Sequence, residues 1–193
     1  MVVELVSVGT ELLLGNIVNT NTQYLAEQCA LLGLSLYHQS VVGDNHDRLA
    51  EVVKTALGRS DVVILTGGLG PTEDDLTKEV CAEVMGYKLV EDPHTREHLE
   101  QFFKNNIYKE IPDNNWKQAM VPEGALILDN HNGMAPGLIL EKDGKTAILL
   151  PGPPAELYPM FKEQVYPYLQ KQQPEMIRSA VVKICGCLLY TSD

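Results

Sequence analysis

Residues 62–75 read Val-Val-Ile-Leu-Thr-Gly-Gly-Leu-Gly-Pro-Thr-Glu-Asp-Asp, and the fold turns on them. Val62 to Leu65 is a short, uninterrupted apolar run, the pattern of a parallel strand covered on both faces. A glycine loop follows it. Thr72-x-x-Asp75 then has the form of a capping box opening a helix that buries Leu76, Val80, Cys81 and Val84 and stops at Gly86. Strand, glycine loop and helix in that order place a ligand-accessible turn at the carboxyl end of a central strand.

Upstream the same unit repeats. Val2 to Val8 reads as a strand, and Thr20-x-x-Gln23 opens a helix carrying Leu25, Cys29 and Leu32, stopped by Gly33. Leu34 to Val42 reads as the second strand, and Asp44 to Leu57 as a helix burying Leu49, Val52, Val53, Ala56 and Leu57. Alternation of this kind predicts an α/β domain whose mostly parallel central sheet is sandwiched between helices.

Downstream the rhythm changes. Asp92-Pro93 caps a helix with Leu99, Phe102, Phe103 and Ile107, and an irregular stretch to Val121 reads as an inserted lobe. Ala125 to Leu128, Gly137 to Leu140 and Thr146 to Leu150 read as short strands, the last two joined as a hairpin at Asp143-Gly144. Pro153 and Pro154 start a helical segment with Leu157, Phe161 and Val165, which Pro159 and Pro167 are expected to kink or shorten. Ile177 to Ile184 is a final strand candidate. The domain is placed at residues 1–170, with 171–193 as the start of a linker or following domain.

Composition bounds the function. The 193 residues are 45% hydrophobic, and 15 Lys and Arg against 26 Asp and Glu give a net charge of -11. That charge disfavours nucleic acid and anionic membrane as partners. The apolar run at the N-terminus is too short for a signal peptide or a membrane span, so a cytoplasmic protein is expected. Cys29, Cys81, Cys185 and Cys187 are expected to be reduced thiols.

The chemistry concentrates at the glycine loop. Gly67, Gly68 and Gly70 permit close backbone approach, and the N–H groups of the next helix favour an anion. The loop is neither a P-loop nor a dinucleotide fingerprint, since no Gly-Lys-Ser/Thr and no G-x-G-x-x-G is present. Glu73, Asp74 and Asp75 beside a phosphate cradle are in electrostatic conflict with it, which a divalent cation would resolve by bridging carboxylate to phosphate. Capping by Thr72 and Asp75, with the acids favouring the helix dipole, is the competing explanation.

Asp44 ends the second strand at the same sheet edge; ordinary helix capping is its alternative. Gly152, within Leu150-Pro-Gly-Pro-Pro154, and Thr10, Glu11 and Asn21 after the first strand are further ligand-contacting candidates. His38, His46 and His131 join no pattern, and His94 and His98 make a poor zinc pair with Arg96 between them. Trp116 and Phe102-Phe103 are expected to pack the lobe.

Gly9-Thr-Glu-Leu-Leu-x-Gly15 with Asn19-Thr-Asn21, TGGLGPTEDDLT over 66–77 and LPGPPAEL over 150–157 together resemble the N-terminal domain of the CinA (competence/damage-inducible) family. The resemblance runs over about residues 2 to 184. That domain is similar to the molybdopterin-binding fold of MogA, MoeA and gephyrin, which implies a three-layer α/β/α sandwich, a homo-oligomer, and molybdopterin as a possible ligand. It also implies functional acids at Asp75 and Asp44, and a phosphate site at Gly67, Gly68, Gly70, Thr72 and Gly152. Family members are credited with metal-dependent ADP-ribose pyrophosphatase activity, so Asp75 and Asp74 are expected to hold Mg, Mn or Co. The implied partner is a small nucleotide or pterin. The second domain of many CinA proteins, a nicotinamide-nucleotide amidase, is not expected in 193 residues. The last stretch, Gly186-Cys-Leu-Leu-Tyr-Thr-Ser-Asp193, departs from the family pattern, as expected of a truncated or frame-disturbed reading of a longer gene.

Overall fold

The computed structural model describes residues 1–105 and 111–173. Ile107, the strand candidate at 177–184, Cys185 and Cys187 lie outside them. Six strands form one sheet: β1 (Val2–Val8), β2 (Ser35–Val42), β3 (Val62–Thr66), β6 (Leu126–Leu128), β7 (Gly137–Lys142) and β8 (Lys145–Leu150). β4 (Leu89–Glu91) and β5 (Met120–Pro122) make a separate antiparallel pair. The helices are α1 (Thr10–Leu13), α2 (Thr20–Leu31), α3 (His46–Arg59), α4 (Thr77–Met85), α5 (Pro93–Asn105), α6 (Pro154–Met160) and α7 (Tyr166–Gln172), with a 3-10 segment at Asp113–Ala119. The order across the large sheet is β2-β1-β3-β8-β7-β6. β2, β1, β3 and β8 are parallel, while β7 runs antiparallel to both β8 and β6. The architecture is the α/β sandwich with a mostly parallel sheet that the alternation predicts.

The two-residue period of the strands divides the core. Val3, Leu5, Val62, Ile64, Ile148 and Leu150 face one layer, with Leu25 and Cys29 of α2 and Leu157, Phe161 and Leu169 of the C-terminal helices. Val6, Val8, Val63, Leu65, Ala147 and Leu149 face the other, with Leu49, Val53 and Ala56 of α3 and Val80 and Cys81 of α4. All five residues of β3 are buried, as the apolar run requires. Burial pushes the Cys29 and Cys81 thiols up to about 12, so both pack as inert apolar groups.

Element boundaries depart from the sequence reading where side chains chose different partners. α2 is capped by Asn19, whose Oδ1 accepts from Thr22 N–H, rather than by Thr20. α4 begins at Thr77, without a side-chain cap, so Thr72-x-x-Asp75 closes a turn ahead of the helix instead of capping it. Asp92 does cap α5, accepting from Thr95 N–H at 2.6 Å. β4 and β5 were not anticipated because three-residue strands are too short to display an alternation. Asp143 and Gly144 both have positive φ, 52° and 74°, as the expected hairpin turn needs.

The prolines at 159 and 167 do not break the C-terminal segment. α6 continues through a π turn at Phe161–Val165 into α7. Pro167, which has no N–H to donate, follows directly on the π turn, where the hydrogen-bond register of the helix changes. Pro159 cannot donate to the Ala155 carbonyl; Asn132 Nδ2 does so instead, at 2.8 Å.

The far end of the sheet holds a buried charge. Glu4 is 1% exposed, receives Arg59 Nη2 at 2.7 Å and Nε at 2.9 Å, and accepts from Ser60 Oγ at 3.3 Å. Burial pushes its carboxyl up, but the Arg59 hydrogen bonds and charge, with Ser60, hold it below the usual value of 4.5. The pair therefore stabilises the fold above that value, and the contribution is lost as pH falls through the lower folded value. Arg59→Met leaves Ser60 as the hydrogen-bond donor that remains to the buried Glu4 carboxylate. Chemical denaturation at pH 7 should show a clear loss of stability, because Glu4 stays buried without its counter-charge. Acid unfolding followed by circular dichroism should start at higher pH than in the wild type.

Candidate active site

Chain direction opens a crevice between β1 and β3. From β1 the chain leaves to β2 on one side, and α3 then carries it back across to β3 on the other, so the loops after β1 and β3 diverge. A cavity of about 620 Å³ lies there, within the range of small-molecule sites. The loops after β1, β3 and β8 supply most of its wall, the 3-10 segment adds Gln118, and the loop before β7 adds Met134 and Ala135.

Backbone geometry explains the glycines of the β3 loop. Gly67 has φ 92° and Gly68 φ 67°, a region that side chains disfavour. A Cβ on Gly67 would stand 2.4 Å from the Val8 carbonyl oxygen, and one on Gly68 would stand 2.2 Å from Thr77 Oγ1. The loop is tied at both ends: Gly67 N–H donates to the Leu150 carbonyl at 3.0 Å, and Thr77 Oγ1 donates to the Gly67 carbonyl at 2.8 Å. The β8 loop closes in on the other side, with the Gly152 Cβ position 3.6 Å from Gly67 Cα.

The acids sit on this rim. Asp75 Oδ2 accepts from Thr72 N–H at 3.0 Å and from Thr72 Oγ1 at 2.5 Å, which folds the carboxylate back over Gly70. Asp74 lines the cavity too, whereas Glu73 does not. Asp44 is not a helix cap, a role taken by Asn45; its Oδ2 instead receives both Thr10 N–H and Thr10 Oγ1 at 2.9 Å. Thr10 is thus corrected from a ligand contact to the residue that fixes Asp44, because its hydroxyl and amide are spent on that carboxylate. The remaining expected residues, Gly67, Gly68, Gly70, Thr72, Gly152, Glu11 and Asn21, do line the cavity.

Charge at the site is one-sided. Glu11, Asp44, Asp74, Asp75 and Glu156 are on the wall, and among the described residues no Lys or Arg lines it. The nearby cations are committed elsewhere. Lys117 Nζ donates to the Thr72 carbonyl at 2.9 Å and to the Asp75 carbonyl, pinning the acidic turn from behind. Lys78, 6% exposed, donates to the Lys117 carbonyl at 2.6 Å, and burial lowers its ammonium to about 8. Among the described residues no group of three His, Cys, Asp or Glu is arranged to hold a metal ion by itself. A cation here would need oxygens from its ligand to complete its shell, as magnesium commonly does.

Sequence reasoning missed the contributions of Gln118, Met134, Ala135 and Glu156, which reach the cavity only through tertiary packing. Asn130 Nδ2 bridges the Ala135 carbonyl at 2.8 Å and Glu156 Oε2 at 2.7 Å, fixing the loop that carries Met134 and Ala135 over the cavity. His94 and His98 turn apart, to Asp129 Oδ1 and the Gly133 carbonyl respectively, and form no metal pair. Trp116 receives Arg96 over its ring at 4.5 Å, and Phe102 and Phe103 meet edge to face, so these aromatics belong to the lobe.

Comparison with known proteins agrees with this geometry. The probable molybdopterin binding domain matches residues 4–171. Proteins named competence-damage inducible from Caldicellulosiruptor bescii and Thermoanaerobacter pseudethanolicus are 56% and 55% identical over 96% and 95% of this chain. The chain spans 45% and 44% of their length. Among solved structures, CinA of Thermoplasma acidophilum superposes with a TM-score of 0.78 at 32% identity, covering 84% of this chain and 95% of that one. MoaB of Thermus thermophilus, at 17% identity and a TM-score of 0.59 over 91% of this chain and 98% of its own, shares the fold.

The glycine loop gives a direct test of its geometry. Gly67→Ala should cost at least about 2 kcal/mol in denaturant unfolding, from the positive φ and the forced displacement of the Val8 carbonyl. An alanine variant as stable as the wild type would show that the loop does not depend on this backbone conformation.

Proposed function

We propose that this chain, which belongs to the probable molybdopterin binding domain family and to its CinA branch, hydrolyses the pyrophosphate of a nucleoside diphosphate sugar such as ADP-ribose. The observation that carries the reading is the arrangement of the Gly67-Gly68 loop against Asp75 and Asp44 at the mouth of one cavity. Backbone N–H groups at a glycine loop can approach phosphate oxygens closely, and carboxylates beside them are tolerable to an anion only with a cation between.

The lining fits such an ion. Asp74 and Asp75 would hold it, and the ligand's phosphate oxygens would supply the coordination that the protein lacks. When bound, a divalent cation polarises the phosphoryl group and offsets its charge. Asp44, oriented by its double contact with Thr10, would orient a water. Hydrolysis forms a bond between that water's oxygen and one phosphorus and breaks the bridging P–O bond, leaving AMP and a sugar phosphate from ADP-ribose and releasing the proton to solvent or to Asp44. Gly68, Gly70 and Gly152 would hold the diphosphate during the step, while Gly67, whose N–H is bound to Leu150, and Thr72, whose amide and hydroxyl are bound to Asp75, would shape the cradle; Asn21 and Glu11 would contact its substituents.

The lack of a three-ligand metal group among the described residues favours a second reading, a module that binds molybdopterin or a nucleotide without chemistry. Incubation with ADP-ribose and magnesium, manganese or cobalt, with AMP followed by chromatography, separates the two. The hydrolase reading expects AMP release that EDTA stops. It also expects Asp75→Asn to slow turnover by at least about 100-fold with an unchanged melting temperature, since asparagine keeps an oxygen for Thr72. Ligand-induced thermal stabilisation without AMP would instead select the binding module.

A further inference from the structure

Two amides on the cavity wall carry buried oxygens with no hydrogen-bond partner, Asn21 Oδ1 and Gln118 Oε1. The first cannot be an amide assigned the wrong way round. Asn21 Nδ2 donates to the Gly152 carbonyl at 2.6 Å, and a carbonyl only accepts, so the oxygen must face the other way. Gln118 is 3% exposed and sits beside Lys117, whose ammonium is turned to the Thr72 and Asp75 carbonyls and makes no hydrogen bond to it. An acceptor turned into a cavity is met by water or by a donor on whatever is bound there, so a ligand group that displaces the water must bring a donor or lose affinity.

Phosphate cannot be the group that meets Asn21 Oδ1. At neutral pH a diphosphate presents acceptors almost exclusively, so the part of the ligand at Asn21 is not phosphate, and the same holds for Gln118 with its oxygen toward the cavity, an orientation the pyrophosphate probe below tests. A cation alone is a poor candidate, because the carboxylates of the same wall compete for it with full charge.

We propose that Asn21 and Gln118 are specificity-determining residues that select a ligand carrying neutral hydrogen-bond donors, sugar hydroxyls or base N–H groups, alongside its phosphate. This rests on the phosphate-binding reading above and extends it from the diphosphate to the groups attached to it. It also explains why two acceptors lie buried on the wall without partners.

The test uses Gln118→Met in the full chain, with magnesium present. Three probes are titrated by calorimetry: inorganic pyrophosphate, ribose 5-phosphate and 2′,3′-dideoxyadenosine monophosphate. The free variant should melt at the same temperature as the wild type, since Gln118 Oε1 makes no hydrogen bond within the protein that the change could remove. Its affinity should fall about tenfold for a donor-bearing probe, the order of one lost hydrogen bond, and stay unchanged for pyrophosphate. Loss for ribose 5-phosphate assigns the donor to hydroxyls, and loss for the dideoxynucleotide assigns it to the base. Gln118→Glu is the companion variant, keeping shape and acceptor; it should retain the donor-bearing probe better than Gln118→Met and weaken pyrophosphate through added charge. Equal affinities of wild type and Gln118→Met for every probe, or a lowered melting temperature with a uniform loss across all three, would overturn the assignment. Failure of pyrophosphate to bind the wild type, with Gln118-dependent binding of a donor-bearing probe kept, would instead overturn the phosphate reading and leave this one standing.

Discussion

The position of β3 is the constraint on which the site depends. It is hydrogen-bonded to β1 on one side and β8 on the other, with Thr66 in register with Ser7 and with Leu150. Both of its faces are buried, so it has no freedom to slip by a residue without turning its apolar side chains to the wrong layer. Gly67 begins where that register ends, and its N–H is already taken by Leu150. The glycine loop is therefore an extension of the sheet's hydrogen bonding, and the Val8 and Gly152 backbones that crowd it belong to the end of β1 and to the loop after β8. Cavity shape follows from strand register more than from any one side chain.

Electrostatics then restricts what can occupy that cavity. A chain of net charge -11 that places five carboxylates and, among the described residues, no basic side chain on one wall offers a poor site for a bare anion. Its lysines are adjacent but inverted: Lys117 faces the carbonyls behind the acidic turn and Lys78 is buried beneath it. They brace the acidic turn from behind. On the proposed reading, attraction for phosphate would come from backbone N–H groups and from a cation that arrives with the ligand.

The sequence displayed the parts of this design that local pattern can encode. The buried run at Val62 to Leu65, the glycine loop, the helix carrying Leu49 and Val53, and the hairpin at Asp143-Gly144 are all legible from period and turn chemistry, because each depends on neighbours within a few residues. Asp44 and Asp75 could be placed at one sheet edge for the same reason, once the strands were read as parallel. The role of Thr10 was not legible, since a threonine after a strand has the same local appearance whether it meets a ligand or a carboxylate 34 residues away. Helix starts were misread where two polar residues competed, as at Asn19 against Thr20 and at Thr72 against Thr77. The short strands of the lobe, and with them the location of Gln118, depend on pairing between residues about 30 apart, for which three-residue segments leave no trace.

That illegible part is also where the two halves of the site meet. The parallel strands provide backbone donors and the acids around them, features that many unrelated α/β domains place at a switch point. The lobe between α4 and β6 contributes in another way: through Lys117 it braces the acidic turn, and through the adjacent Gln118 it offers the cavity a neutral acceptor. One short 3-10 segment thus couples the placement of Asp75 to the wall that faces the rest of the ligand. A displacement of that segment would disturb the carboxylate and the amide together, so on the proposed reading phosphate chemistry and ligand choice would be tied by covalent adjacency. The sheet would then determine where phosphate lies, and the lobe what the phosphate is attached to.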